Sequence, residues 1–248
     1  MSLAAYEFMA QLGKVMLRPG GKEGSDFLLH HTPISTHSKV LEVACNRGQS
    51  MIDIACRFNC KVTGVDQSKE LVTKANENIK LLSLQDQCKA IVADACDLPF
   101  EKEYFDIVIN EAMLAMLSPK DRVTALQEYK RVLKPGAYLL THDVIVTEKN
   151  EHLQLELSKT VNKVVSPESY LGLLNSLLDA GFEIRYSKTD RVNFLSSQNL
   201  VKDEGALHAA QILRKAQEAE NINQYNDIRN FFDSYGDQLR YVCFICQK

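Results

Sequence analysis

Acidic and polar residues recur at one position along this chain, the end of each short apolar run. KVLEV carries Glu42 and runs into the turn Ala44-Cys45-Asn46-Arg47-Gly48, KVTGVD ends in Asp66, CKAIVAD ends in Asp94, FDIVIN runs into Asn110 and Glu111, and AYLLTHDVIV contains His142 and Asp143. An acid placed like Asp66 suits a ribose diol, because one carboxylate can accept from both hydroxyls. The pair Asp94-Ala95 can accept from an adenine amino group and donate a backbone N–H to its ring. Polar tips are costly to bury for structure alone. For any single Asp, however, capping a helix or closing a turn is the more frequent use.

The elements that must position these tips alternate in type. The apolar runs are Val/Ile-rich, as in strands buried on both faces, and the segments between them (QSMIDIACRF, SKELVTKANENIKLLSL, PKDRVTALQEYKRVL, PESYLGLLNSLLDAG) have apolar residues at helical spacing. This alternation predicts an α/β fold with a parallel sheet and helices on both faces. In such sheets ligands bind outside the carboxyl ends of the strands, where the polar tips gather. After AGFEIRYSK the chain makes a polar helical excursion, GALHAAQILRKAQEAENIN, and returns to a strand, Gln238 to Cys246, which suits an antiparallel partner beside the last parallel strand. No composition shift divides the chain. It reads as an N-terminal helical extension over 1–36, acting as a lid, and a body over 37–248 with helical insertions at 147–166 and 196–235.

Composition narrows the classes of partner. The 248 residues are 45% hydrophobic, enough for a sizeable core, and 29 basic against 32 acidic residues leave a net charge of −3 with no basic stripe. Nucleic acid is therefore not expected as a partner. The seven cysteines are odd in number and lie in strand or helix patterns, which favours reduced thiols in a cytoplasmic protein. Cys243 and Cys246 are three apart on a strand and point to opposite faces, and no second ligand pair accompanies Cys56 and Cys60, so no metal is expected. The N-terminus lacks the basic start of a signal peptide, and no apolar run is long enough to span a membrane. Met1, Ala5, Phe8, Leu12 and Met16 fall at helical spacing and predict a packed amphipathic helix. Pro19, Gly20 and Gly21 then predict a loop before a helix starting at Ser25 or Asp26.

Taken in order, VLEVACNRG, VTGVDQS, IVADACDLPFEKEYFDIVINEAML and VLKPGAYLLTHDV are similar to the ordered motifs of class I S-adenosylmethionine-dependent methyltransferases, over Val40 to Val146. The resemblance implies a Rossmann-like, seven-stranded, mostly parallel sheet with an antiparallel last strand, and S-adenosyl-L-methionine as cofactor. It implies that Glu42 opens the first motif, that Ala44, Cys45, Asn46 and Gly48 form the loop under the methionine part, and that Asp66 holds the ribose. Gln67 would flank the adenine, Asp94 and Ala95 would grip its edge, and Asn110 and Glu111 would lie beside the sulfonium. The sequence departs from the family at Ala44 and Asn46, where Gly is usual. Asn tolerates left-handed backbone angles and Ala adds one methyl, so the loop geometry can survive. A dinucleotide-binding dehydrogenase would need G-x-G-x-x-G around its pyrophosphate, and the missing glycines count against that reading more heavily.

Methyl transfer is an in-line displacement, so alignment and exclusion of water matter most, and a general base is needed only where the nucleophile must lose a proton. The candidates at the edge are Glu111, His142 and Asp143, with capping an equal alternative for His142. Arg18 in LRPGG could steer a carboxylate, though a lone loop Arg is more often solvated. Met113, Met116 and Leu117 suit an apolar pocket or the core equally well. The expected function is methyl transfer to a small-molecule acceptor. The alternative is a cofactor-binding module without turnover, and the insertions serve equally as a lid or as a homodimer face.

Overall fold

The computed structural model describes residues 3, 5–15, 17–192 and 196–248. Two helices, α1 (Ala5–Leu12) and α2 (Gly21–His30), precede the alternating body. The body runs β1 (Lys39–Val43), α3 (Gln49–Phe58), β2 (Lys61–Asp66), α4 (Lys69–Leu81), β3 (Cys88–Val92), β4 (Phe105–Glu111), a single 3-10 turn (Leu114–Met116), α5 (Pro119–Val132) and β5 (Leu133–Val146). It continues through α6 (Glu151–Thr160), β6 (Glu168–Ser169), α7 (Tyr170–Asp179), β7 (Glu183–Arg191), α8 (Ser197–Glu204), α9 (Ala206–Ala216), α10 (Ile222–Tyr235) and β8 (Leu239–Gln247).

The strands form one sheet in the order β3-β2-β1-β4-β5-β8-β7, with the two-residue β6 pairing the end of β5. Strands β1 to β5 are mutually parallel, and β8 runs antiparallel to both β5 and β7. The expected seven-stranded plan with an antiparallel last strand is present, and β6 is an eighth strand too short to leave a periodic signal. The order reverses at β1, whose neighbours are β2 and β4, and this opens a crevice at the carboxyl edge.

Side-chain alternation divides the core into two layers. Val40, Ile107, Ile109 and Leu140 pack beneath α2, α3 and α4, while Leu41, Val43, Val108 and Leu139 pack beneath α5 and α7. Cys243 belongs to the first layer and Cys246 to the second, as their spacing predicted, and all seven thiols are free. A third, smaller core joins Ala5, Phe8, Met9 and Leu12 of α1 to Ile212 and Ala216 of α9 and to Tyr225 and Ile228 of α10. The amphipathic N-terminal helix thus packs on the late insertion rather than on the sheet. Met1 and Met16 lie outside the described residues. No helix among the described residues is long and apolar enough to cross a membrane.

Helix α2 begins at Gly21, four residues before the expected Ser25. Its glycines permit close packing, a reason that turn propensity does not anticipate. Gly64 on β2 is a second such position. A Cβ there would lie 2.7 Å from both Cys45 Sγ and Met51 Sδ. Gly64→Ala should therefore push Cys45 out of place and destabilise the fold by about 1–3 kcal/mol, read as a lower urea midpoint with unchanged slope.

Candidate active site

The loop after β1 is built from left-handed residues. Ala44, Asn46 and Gly48 have φ of 61°, 50° and 78°, so the two positions without glycine still adopt the backbone that glycine would. Buried Cys45 anchors the loop, its N–H donating to the Val65 carbonyl at 2.9 Å, and Gly48 caps α3. Asp66 ties this loop to the next, accepting from the N–H of Asn46 through Oδ2 and from the N–H of Ser68 through Oδ1, each at 2.9 Å. Each carboxylate oxygen retains acceptor capacity, and Asp66 is only partly buried. Gln67 is exposed beside it. Asp94 is exposed at the end of the third strand, closing a turn on the Cys96 N–H at 2.8 Å, with buried Ala95 behind it.

Strand alternation separates the remaining candidates. Glu42, Glu111 and His142 share the face beneath α2 and α3, whereas Asn110 and Asp143 point the other way. Asn110 is fully buried and donates to the Tyr129 hydroxyl at 3.0 Å, and its Oδ1 has no partner among the described residues. Asp143 accepts from the N–H groups of Ala115 at 3.2 Å and Val144 at 2.8 Å, and burial raises its pKa. It fastens the 3-10 turn and does not join His142 in a catalytic pair, because adjacent strand residues face opposite sides. Met113 sits in the core beside Tyr129, which favours the packing reading for it.

On the shared face, burial pushes the Glu42 carboxyl up to about 7, against the opposing pull of Arg18. Its Oε2 lacks a partner among the described residues, although Ser50 and the Met51 N–H favour its charged form. Burial acts on Glu111 too, but Arg18, His142 and Ser25 outweigh it and hold this carboxyl down at about 2. Glu111 receives the Ser25 hydroxyl at 2.7 Å, the Arg18 guanidinium at 2.9 Å and His142 Nδ1 at 3.1 Å. Two neighbouring carboxylates are thereby set apart, one ionised throughout and one poised near neutrality.

Arg18 is therefore no solvated loop residue. Its side chain is 15% exposed and also donates to Ser25 and Ser50. The strap over 18–25 and the residues leading to it, Lys14 and Val15, are gripped from two sides. On the sheet side, the Gly20 N–H donates to His142 Nε2 at 2.9 Å. On the other, Asp203 and Glu204 at the end of α8 meet Lys14 at 3.1 and 3.6 Å and accept from the N–H of Lys22 and Val15. Carboxylates at a helix C-terminus oppose its dipole, so their place there reflects what they hold. A cavity of about 280 Å³ opens between α2 and α3, lined by Arg18, Ser25, Gln49, Ser50, Ile109 and Glu111 among others. Sequence reasoning missed Ser25, Ser50 and the acidic end of α8; only the close-packing glycines of the strap hinted at them.

Ala44→Gly should stabilise the protein by about 0.5–1 kcal/mol, since the left-handed penalty of about 1–2 kcal/mol on Ala exceeds the added chain entropy of Gly. Paired denaturation curves check this.

A family model described as "Methyltransferase domain" matches residues 40–136, which contain the loop after β1 and the tips of β1 to β4 just described. A Haemophilus influenzae protein, described as an uncharacterized protein, is 38% identical over 98% of this chain and 97% of its own length. Sterol 4-C-methyltransferase strm-1 of Caenorhabditis elegans is 32% identical over 52% of this chain and 38% of that protein. The solved structure of Haemonchus contortus phosphoethanolamine N-methyltransferase 2 in complex with S-adenosyl-L-methionine aligns with a TM-score of 0.74 at 20% identity, covering 98% of this chain and 56% of that one. The chain spans between 38% and 59% of the length of seven curated relatives of assigned function. With the ordered motifs on their expected strand ends, residues 40–136 of this chain are a methyltransferase domain, and the chain has the fold of solved S-adenosylmethionine-binding methyltransferases.

Proposed function

We propose that the chain transfers the methyl group of S-adenosyl-L-methionine to a small polar acceptor held beneath the strap and α8–α10. The observation that carries this reading is the set of acceptor positions at the carboxyl edge: the unpartnered Oε2 of Glu42 behind the left-handed loop, and Asp66 with lone pairs to spare. These residues fit the cofactor. Asp66 suits the ribose diol, Gln67, Asp94 and Ala95 suit the adenine, and Ala44, Cys45, Asn46 and Gly48 form the floor under the methionine part. Glu42 suits its amino group, and Arg18 brings a cation to the same end, suited to its carboxylate. Asn110 shapes the end of β4 from the far face.

When bound, the cofactor supplies an electrophilic methyl group on a sulfonium. The protein's share is alignment, exclusion of water and a fixed negative charge at Glu111. A carboxyl held at about 2 is a weak base, both ring nitrogens of His142 are engaged, and Asp143 faces away. The reading therefore assigns no general base to these three residues. The acceptor brings a nucleophile already in its reactive protonation state.

The N-terminal 1–36 extension and the 196–235 insertion act together as the lid, since α1 shares its core with α9 and α10 and the strap pairs with α8. The 147–166 insertion joins them through α6, which packs against the same layer as Phe231 of α10. This use as a lid is favoured over a homodimer face. The free thiols support a cytoplasmic setting.

Isothermal titration with the cofactor and a labelled-methyl assay over small amines, thiols and phenols test the function; binding without any turnover would leave the non-catalytic module. Asp66→Ala should weaken cofactor binding about 10- to 100-fold through lost charge-assisted hydrogen bonds, and unchanged affinity would refute the ribose assignment. Cofactor affinity should fall as pH drops below about 7, where free Glu42 takes up a proton that an ammonium must displace. Glu42→Gln should flatten that dependence. Because the folded pKa of Glu42 is raised, its burial costs stability progressively from pH 4.5 to about 7, so the same variant should stabilise the cofactor-free protein at pH 8, by up to about 3 kcal/mol.

A further inference from the structure

For His142 a proton acceptor and a helix cap were equal expectations, and its surroundings give it other work. An N–H can only donate, so the Gly20 contact at 2.9 Å requires a lone pair on Nε2 and leaves the ring proton on Nδ1, from which it reaches Glu111 at 3.1 Å. The ring is wholly buried and lies edge-on to Tyr241, with centroids 5.5 Å apart. The strap is fitted to it: a Cβ on Gly20 would fall 2.7 Å from Nε2, and one on Gly24 2.5 Å from Cε1.

We propose that His142 is a positioning residue that holds the strap over 18–25 closed above Glu111, and so sets how long the cofactor stays enclosed. Arg18 and Ser25 of the strap bond the same carboxylate that His142 orients. Lifting the strap therefore breaks the Arg18, Gly20 and Ser25 contacts together and strands Glu111 without two of its partners. Such coupling makes opening a concerted step, because partial opening leaves a buried charge poorly compensated. This inference rests on the proposed cofactor site only for its consequence, not for the bonds themselves.

Two conservative variants separate the bonds. His142→Gln puts an amide oxygen near the place of Nε2 and keeps the acceptor for Gly20. His142→Asn keeps a donor toward Glu111 and leaves the Gly20 N–H without a partner. The readouts are amide hydrogen exchange over 18–25, with β1 and β4 as internal controls, and the dissociation rate of S-adenosylhomocysteine. His142→Asn should raise strap exchange about 5- to 100-fold and speed ligand release by a similar factor, with β1 and β4 unchanged, while His142→Gln stays within about threefold of the parent. Equal effects in the two variants, unchanged strap exchange in His142→Asn, or exchange rising equally in β1 and β4 would overturn the proposal. If S-adenosylhomocysteine does not bind the parent protein, the cofactor reading fails, and the exchange measurements still decide the strap.

Discussion

Arg18, Glu42 and Glu111 gather at the carboxyl edge of the sheet, Glu42 buried and the other two largely withdrawn from water, and the surrounding structure follows from the need to compensate them. Taking ionised groups out of water costs several kcal/mol each unless partners replace the solvent. Glu111 meets that requirement with three partners: Arg18 and Ser25 from the strap, whose last residues open α2, and His142 from β5. Glu42 does not meet it fully, and its carboxyl rises to about 7 with one oxygen left unpartnered. An incompletely satisfied buried group beside a crevice is what a site waiting for a polar ligand should contain.

The same edge stores backbone strain. Besides Ala44 and Asn46, Ala112 is left-handed at φ 56°, and its N–H reaches the His142 carbonyl at 2.7 Å. Non-glycine residues hold such angles only where neighbours over-determine them. Here Cys45 is locked under Gly64, the Asn46 N–H is held by Asp66, and Ala112 is tied to β5. The loop can therefore dispense with two of its usual glycines because other elements hold its shape.

The proposed lid is assembled from distant parts of the chain. Lys14 is fully buried between Asp203 and Glu204, nearly 190 residues away in sequence, and α1 completes a small core with α9 and α10. Neither part could bury its apolar face alone. Their mutual packing explains why a polar, helical insertion follows β7 without forming a separate domain.

The alternation of Val/Ile-rich runs with helical segments was legible in the sequence, as were the antiparallel return of the last strand and the acidic tips at Glu42, Asp66 and Asp94, because strand and helix periods and strand ends are local properties. Side-chain alternation was legible too, and it alone could have shown that His142 and Asp143 cannot share a site. What tertiary structure decided was the company each residue keeps. A lone loop Arg18 became the counter-ion of Glu111, Ser25 became its hydrogen-bond donor rather than a helix cap, and His142 became committed at both nitrogens. These roles depend on contacts across 31 to 122 residues of sequence, set by how the strap closes on the sheet. The sequence determined which groups stand at the edge of the sheet, through periodicity; only the fold determined which are charged, engaged or open to a ligand, because burial and partners are properties of the packed chain.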